Sequence, residues 1–225
     1  MRIAVLPRYI NLGKKDSVWN ERHYILHQYE RMATRLGIGL CVIISPYDFE
    51  AVCELCDGLI IPGSANMVNP SYYGGEPMNP PPVHDDFSLD LKVADYFVKN
   101  EKPVLGICAG LQALNIYFGG TIGLISETER PHSNVTHGIN ITKDSFVYDV
   151  FGSSRATVNS YHVREIKKLG RGLEVVATAD DGVIEAVENK EKRIIATQWH
   201  PERCFENENS VEEKLFENFL SICAK

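Results

Sequence analysis

The sequence predicts an α/β fold: a three-layer sandwich with a mostly parallel central sheet and a small antiparallel β section. Three observations predict it. Short apolar runs at Arg2–Pro7 (RIAVLP), Ile38–Ile44, Gly58–Ile61 (GLII) and Pro103–Ile107 read as strands buried on both faces. Helical segments separate them, and strand–helix–strand connections of this length make right-handed crossovers between parallel strands. After Gly120 the texture changes to short β pieces, with Asp181-Gly182 as a hairpin turn between two of them. The 225 residues fit one domain spanning 1–225, with no internal repeat or low-complexity tract.

The elements follow in order. Arg2–Pro7 is the first strand and Arg8–Asn20 a loop. A helix is expected over Glu21–Leu36, where Ile25, Tyr29, Met32 and Leu36 recur at spacings of four, three and four, and Gly37 stops it. Ile38–Ile44 is the second strand, Asp48–Cys56 a short helix and Gly58–Ile61 the third strand. The loop Ala65–Val83 is long and rich in Asn, Pro, Gly and Tyr, and both a lid and a solvated excursion fit it. Its Tyr72, Tyr73 and Met78 could touch a ligand. Asp85-Asp86 opens a helix with Phe87, Leu91, Ala94 and Val98 on one face. Beyond the strand at Pro103 come a buried helix ended by Gly119-Gly120 and β pieces at Ile139–Thr142, Ala156–Asn159, Leu173–Ala179, Val183–Glu188 and Ile194–Gln198. An amphipathic helix over Ser210–Cys223 closes the chain.

Composition removes several function classes. Lys and Arg number 23 against 30 Asp and Glu, a net charge of −7, which disfavours a nucleic-acid partner. No apolar run approaches the roughly 18 residues that a membrane helix needs. Met1 leads straight into a strand-like run without a signal-peptide pattern, so a cytoplasmic location is the default expectation. The six cysteines are scattered and do not read as a disulfide framework. Cys53 and Cys56 form a CxxC, but no second pair or close His pair accompanies it, and both fit core-facing helix positions.

The chemistry centres on Lys102–Gly120, KPVLGICAGLQALNIYFGG. Cys108 stands where a buried strand turns into a helix, with Gly106 and Gly110 two residues to either side. That is the logic of a nucleophile elbow: small neighbours let the backbone crowd together, and the helix N-terminus favours a thiolate and any oxyanion beside it. A cysteine nucleophile needs a base. Of seven histidines, His200 alone has a matching context, since Trp199-His200-Pro201-Glu202 follows the strand Arg193–Gln198. Glu202 is placed to orient the imidazole and stabilise its cation.

With these residues the chain resembles the class I, triad-type glutamine amidotransferase domains. Their G-x-C-x-G-x-Q pattern stands here as Gly106, Cys108, Gly110 and Gln112, and their His-Pro-Glu as His200, Pro201 and Glu202. Within that superfamily it is most similar to the γ-glutamyl-γ-aminobutyrate hydrolase type of cysteine peptidase, peptidase C26. IIPGSANMVNPSYYGG, VNSYHVREIKKLGRGLEVVATADDGVIEAVE and ATQWHPE carry that likeness over nearly the whole chain. The resemblance implies the flavodoxin-like glutamine amidotransferase fold, Cys108 as nucleophile, His200 as acid and base, and Glu202 as orienter. It implies an oxyanion hole from the Gly63 and Ala109 amides, with substrate contacts from Gln112, Ser64, Ser160 and Tyr161. Asn159–His162 would lie near the pocket, with His162 outside the catalytic set. Ala109 stands where the hydrolases often carry Arg, which leaves the leaving amine open. The expected reaction is hydrolysis of a small γ-glutamyl amide, with no cofactor and no metal, and a homodimer is compatible with it. The alternative is a glutaminase subunit passing ammonia to a synthetase partner. A non-catalytic binding protein on the same fold is opposed by the intact Cys, His and Glu.

Overall fold

Nine strands run side by side in one continuous sheet, and the order of the chain through it decides where the site lies. The computed structural model describes residues 1–11, 21–47, 49–79, 84–126, 131–206 and 210–224. Its strands and helices are β1 Arg2–Val5, β2 Arg8–Asn11, β3 Glu21–Tyr24, α1 His27–Leu36, β4 Gly39–Val42, α2 Phe49–Glu54, β5 Gly58–Ile61, α3 Asp86–Lys99, β6 Val104–Ile107 and α4 Ala109–Tyr117. There follow β7 Thr121–Leu124, β8 Ser133–Ile141, α5 Phe146–Phe151, β9 Arg155–Tyr161, β10 Arg164–Lys168, β11 Glu174–Ala179, β12 Ile184–Asn189, β13 Ile194–Thr197 and α6 Glu213–Cys223. The sheet order is β4-β1-β5-β6-β13-β12-β11-β8-β9. The pairings from β4 through β13 are parallel, and those from β13 to β9 are antiparallel. The antiparallel section is therefore a continuation of the main sheet. Two short antiparallel pairs, β2–β3 and β7–β10, stand apart from it.

Side chains of the parallel strands alternate between two cores, as a pleated strand covered on both faces requires. Ile3, Val5, Ile60, Leu105 and Ile107 pack on one face with Tyr29 and Met32 of α1, Val147 of α5 and Phe216 and Phe219 of α6. Ala4, Leu59, Ile61 and Val104 pack on the other with Cys53 of α2, Phe97 of α3 and Leu111 and Leu114 of α4. This is the three-layer sandwich that the apolar runs predict. The CxxC belongs to the second core: Cys53 and Cys56 are both buried, and burial pushes their thiols up to about 11 and about 12. Among the described residues, no helix is long and apolar enough to cross a membrane.

Several boundaries differ from the sequence reading. Glu21–Tyr24 is a strand rather than the first turn of a helix, because its backbone pairs with Arg8–Asn11, Tyr9 opposite His23. The helix begins only after Leu26, whose ψ of 138° is extended, and it ends as expected at Gly37 in the left-handed region. Tyr29, Met32 and Leu36 of the expected periodicity lie in the helix, while Ile25 falls in the two-residue link before it. Helix α5 was not expected; Ser145 caps it by accepting from the Tyr148 amide, and Gly152 ends it at φ 64°. Strands β7 and β10 were also missed. The hairpin at Asp181-Gly182 forms as read, with Gly182 at φ 88°.

The long loop after β5 is pinned down over the part that is described. Val68 is buried with Phe87, Ala113, Ile116 and Ile122. Asn69 accepts from the Ser71 and Met78 amides, and the Tyr72 hydroxyl donates to Asp85. Residues 80–83, the end of that loop, lie outside the described residues.

Candidate active site

The chain turns abruptly from β6 into α4 at Cys108. With φ 52° and ψ −103° it is a side-chain-bearing residue in a region that costs about 1–3 kcal/mol. The turn is held from both sides: the Cys108 amide donates to the Thr197 carbonyl at 2.7 Å, and its carbonyl accepts from the Gln112 amide at 3.1 Å. The flanking glycines are required by contact. A Cβ on Gly106 would lie 2.8 Å from the Gly110 backbone and from Leu114 Cδ1, and one on Gly110 would strike the Ile61 carbonyl. Gly110→Ala is therefore expected to push α4 off β5 and lower the melting temperature by several degrees, measurable by calorimetry.

His200 arrives at the same place because β13 lies next to β6, with Thr197 opposite Ile107. Asn159 of β9 fixes its backbone with two bonds, accepting from the His200 amide and donating to its carbonyl, both at 2.9 Å. The ring is 2.6 Å from Glu202 Oε1 through Nδ1, and Glu202 is fully buried. Burial alone would lower the imidazole pKa. The Glu202 carboxylate and the Cys108 sulfur that accepts a hydrogen bond from the ring outweigh it and hold His200 at about 10, so the ring is cationic at neutral pH. Gly63 adjoins both groups: a Cβ there would lie 2.5 Å from His200 Cε1 and 3.4 Å from Cys108 Cβ. Cys108, His200, Glu202, Gly63 and Ala109 thus meet at the C-terminal ends of β5, β6 and β13, where open α/β sheets place their ligands. The set is equipped for nucleophilic acyl transfer: a sulfur, a proton donor held by a carboxylate, and amides at a helix start.

Arg8 is a site residue that sequence reasoning missed. Read as the start of a loop, it is instead buried and paired with Asp90 of α3 at 2.7 Å. Its other donors reach the Pro62 carbonyl and, at 3.0 Å, the Gly63 carbonyl. A trans peptide points C=O and N–H in opposite directions, so holding the Pro62 carbonyl turns the Gly63 N–H away from Arg8. The only sequence signal was an arginine directly after an apolar strand.

The expected substrate contacts separate into two groups. Gln112 is buried beside the nucleophile, its amide donating to Gln198 Oε1 at 3.2 Å. Tyr161 is 38% exposed, meets the His200 ring edge-on at 5.9 Å, and carries the Arg203 guanidinium 3.9 Å above its own ring. Leu26, Gln28, Tyr161 and Arg203 line a cavity of about 440 Å³ on this side. Arg203, next to the His-Pro-Glu motif, was not read as a site residue. Ser64 spends its hydroxyl on Asp86 at 3.1 Å and accepts from the Asn66 amide, shaping the loop after Gly63. Ser160 is fully buried with its hydroxyl donated to the His132 carbonyl at 2.6 Å, which leaves its side chain no open face for a ligand. His162 lies apart, facing Glu185. A second cavity, of about 420 Å³, lies between Asp144–Asp149, Glu188–Lys190 and Ile222 and holds none of these residues.

Comparison with known proteins shows the family of the chain. The peptidase C26 family profile matches residues 3–202. The glutamine amidotransferase-like protein YvdE of Lactococcus lactis is 36% identical over 222 residues, covering 90% of each chain. The γ-glutamyl-γ-aminobutyrate hydrolase PuuD of Escherichia coli is 27% identical over 199 residues, 80% of this chain and 77% of PuuD. A crystal structure assigned as a GMP synthase subunit of Thermoplasma acidophilum superposes with a TM-score of 0.69 at 23% identity, covering all of this chain and 94% of that one, and shows the shared fold. The chain is a member of the peptidase C26 family of class I glutamine amidotransferase-like hydrolases.

Proposed function

We propose that the protein hydrolyses a γ-glutamyl amide through a thioester on Cys108, releasing glutamate and an amine. The observation that carries this reading is the Cys108 turn beside a His200 held cationic by Glu202 at 2.6 Å. The Cys108 sulfur attacks the γ-carbonyl carbon, and the oxyanion is met by the Gly63 and Ala109 amides. As the C–N bond breaks, His200 gives its proton to the departing nitrogen. Water then enters, His200 takes a proton from it, the hydroxide adds to the acyl carbon, and the thioester C–S bond breaks to return the Cys108 thiolate beside the reprotonated ring. Glu202 keeps the ring in the tautomer that presents Nε2 to the sulfur. Gln112, buried near the nucleophile, is assigned to the γ-glutamyl chain in this reading, and the name of the relative PuuD, a γ-glutamyl-γ-aminobutyrate hydrolase, supports that acyl group. On the amine side, Tyr161 and Arg203 line an open cavity that suits a leaving group bearing a carboxylate.

A panel of γ-glutamyl-aminobutyrate, glutamine, γ-glutamyl dipeptides and their α-linked isomers tests the reading. Turnover of γ-linked amides alone is expected, with a γ-glutamyl-directed electrophile adding its mass at Cys108. Cleavage of α-linked amides, or an adduct elsewhere, would overturn it. Ammonia release from glutamine that appears only with a synthetase present would favour the subunit role. Arg203→Ala is expected to raise KM for the carboxylate-bearing amines several-fold while leaving glutamine hydrolysis nearly unchanged, which steady-state kinetics on the same panel will read.

A further inference from the structure

Behind the site, three histidines close on one carboxylate. His132 precedes β8, His137 lies within it, His162 follows β9, and Glu185 projects from β12. Glu185 Oε1 is 3.4 Å from His132 Nδ1, 3.4 Å from His137 Nε2 and 3.3 Å from His162 Nε2. All four donor atoms lie within 4.8 Å of one another, and Glu185 is fully buried. Among the described residues, neither Glu185 oxygen has a hydrogen-bond partner, and neither has Nε2 of His137 or His162. Four unsatisfied polar atoms aimed at one point are costly unless something positive sits among them.

The outer ring nitrogens say which kind of positive group fits. His137 Nδ1 faces the Gly138 carbonyl at 3.2 Å and His162 Nδ1 faces the Arg164 carbonyl at 2.9 Å. His132 Nε2 faces Asp181 Oδ2 at 3.1 Å. Each partner is an acceptor, so each outer nitrogen carries a hydrogen; a neutral ring then turns a lone pair towards Glu185, and at His132 the Nδ1 so turned is also 3.4 Å from Ser160 Oγ. Carbonyls and carboxylates on the far nitrogen are what orient metal-bound histidines. The three carboxylate–nitrogen distances agree, and the donor atoms, spread over up to 4.8 Å, would draw together around a bound ion. A tetrahedral zinc ion with ligands at about 2.0–2.1 Å has ligand–ligand edges of about 3.3–3.4 Å, the separations of Glu185 from all three rings. Triple protonation is the competing answer, and it would gather three imidazolium cations in one buried spot.

We propose that His132, His137, His162 and Glu185 bind a divalent transition-metal ion of the zinc class in a closed, four-coordinate site. Three nitrogens with one oxygen suit zinc better than magnesium or calcium, which prefer all-oxygen sets. A cavity of about 330 Å³ lined by His132, His137, Asp180 and Asp181 gives access from solvent. The ion ties β8, β9 and β12 together. That matters to the catalytic half, because Asn159 of β9 holds His200 and the Glu185 carbonyl accepts from the Gln198 amide at 2.7 Å. The sequence reading finds no metal site, since its four ligands are strewn from 132 to 185 without a spacing motif.

Tag-free protein purified without chelator, analysed by mass spectrometry for metals, is expected to hold about one zinc per chain. Removing the metal with dipicolinate should lower the melting temperature by several degrees, and zinc but not magnesium should restore it. Cobalt added to the apoprotein should give the intense visible bands of a tetrahedral site. Glu185→Gln and His137→Gln should each lose more than nine-tenths of the bound metal, while the exposed His27→Gln keeps it. An apoprotein that takes up neither zinc nor cobalt, with a melting temperature indifferent to chelator, overturns the site in favour of protonated rings. The wild-type cobalt titration decides even where a variant fails to fold. None of these readouts depends on the substrate, so the result stands apart from the proposed hydrolysis.

Discussion

Cys108→Ala is expected to lower turnover of the best γ-glutamyl amide by about 10⁴–10⁶-fold, because no other group can form the acyl intermediate. The fold should survive, since Ala fills less space at the same backbone angles. Cys108→Gly separates chemistry from conformation. It is equally inactive, yet it relieves a side chain held at φ 52°, and should exceed Cys108→Ala in stability by about 1 kcal/mol. Denaturant unfolding of the pair measures that difference, and a glycine variant no more stable than the alanine one would sink the idea that the elbow stores strain.

The same site fixes a pH dependence. His200 titrates at about 10 in the folded protein, against 6.5 for an ordinary imidazole. A raised pKa means that the cation stabilises the folded state fully below about pH 6.5, and that this contribution is lost as pH rises through about 10. The proton needed by the leaving amine disappears over the same range, so activity should have its alkaline limb near pH 10. Glu202→Gln removes the carboxylate that opposes burial. The limb should then move towards neutral pH, with a loss of about 10³–10⁴-fold at the optimum. A pH–rate profile checks both, and an unmoved limb would remove Glu202 from its role.

What was legible in the sequence follows from which signals are local. The parallel half could be read because each buried strand is a continuous apolar run, and Gly37, Gly106 and Gly110 mark turns by their own chemistry. The meeting of Cys108 and His200 could be read because each leaves the end of such a strand. Tyr9 and His23 could not be paired in advance, since their strand is made by a partner across a loop and not by its own periodicity. Arg8 was opaque for the same reason: Asp90, which neutralises it, lies 82 positions away. Ser160 shows the opposite error, a residue in a recognisable motif whose side chain turns out to face the sheet interior and His132.

Arg8 carries the largest expected stability effect. Arg8→Met leaves Asp90 buried without its partner and should cost about 3–5 kcal/mol in denaturant unfolding. The double variant Arg8→Met/Asp90→Leu removes both charges and replaces them with apolar volume, so most of that loss should return. Activity should not return with it. The Pro62 and Gly63 carbonyls still lack the donors that fix the peptide, and the Gly63 amide is then free to turn away from the oxyanion. Losing one such donor costs about 10²–10³ in kcat, with KM little changed, because the bond is made to the transition state. Arg8 is thus a positioning residue, acting on the reaction only through the Pro62–Gly63 peptide. A double variant that is both stable and fully active would show that the buried pair serves the fold alone. One that is stable with kcat lowered about 100-fold and KM preserved is the outcome that this geometry requires.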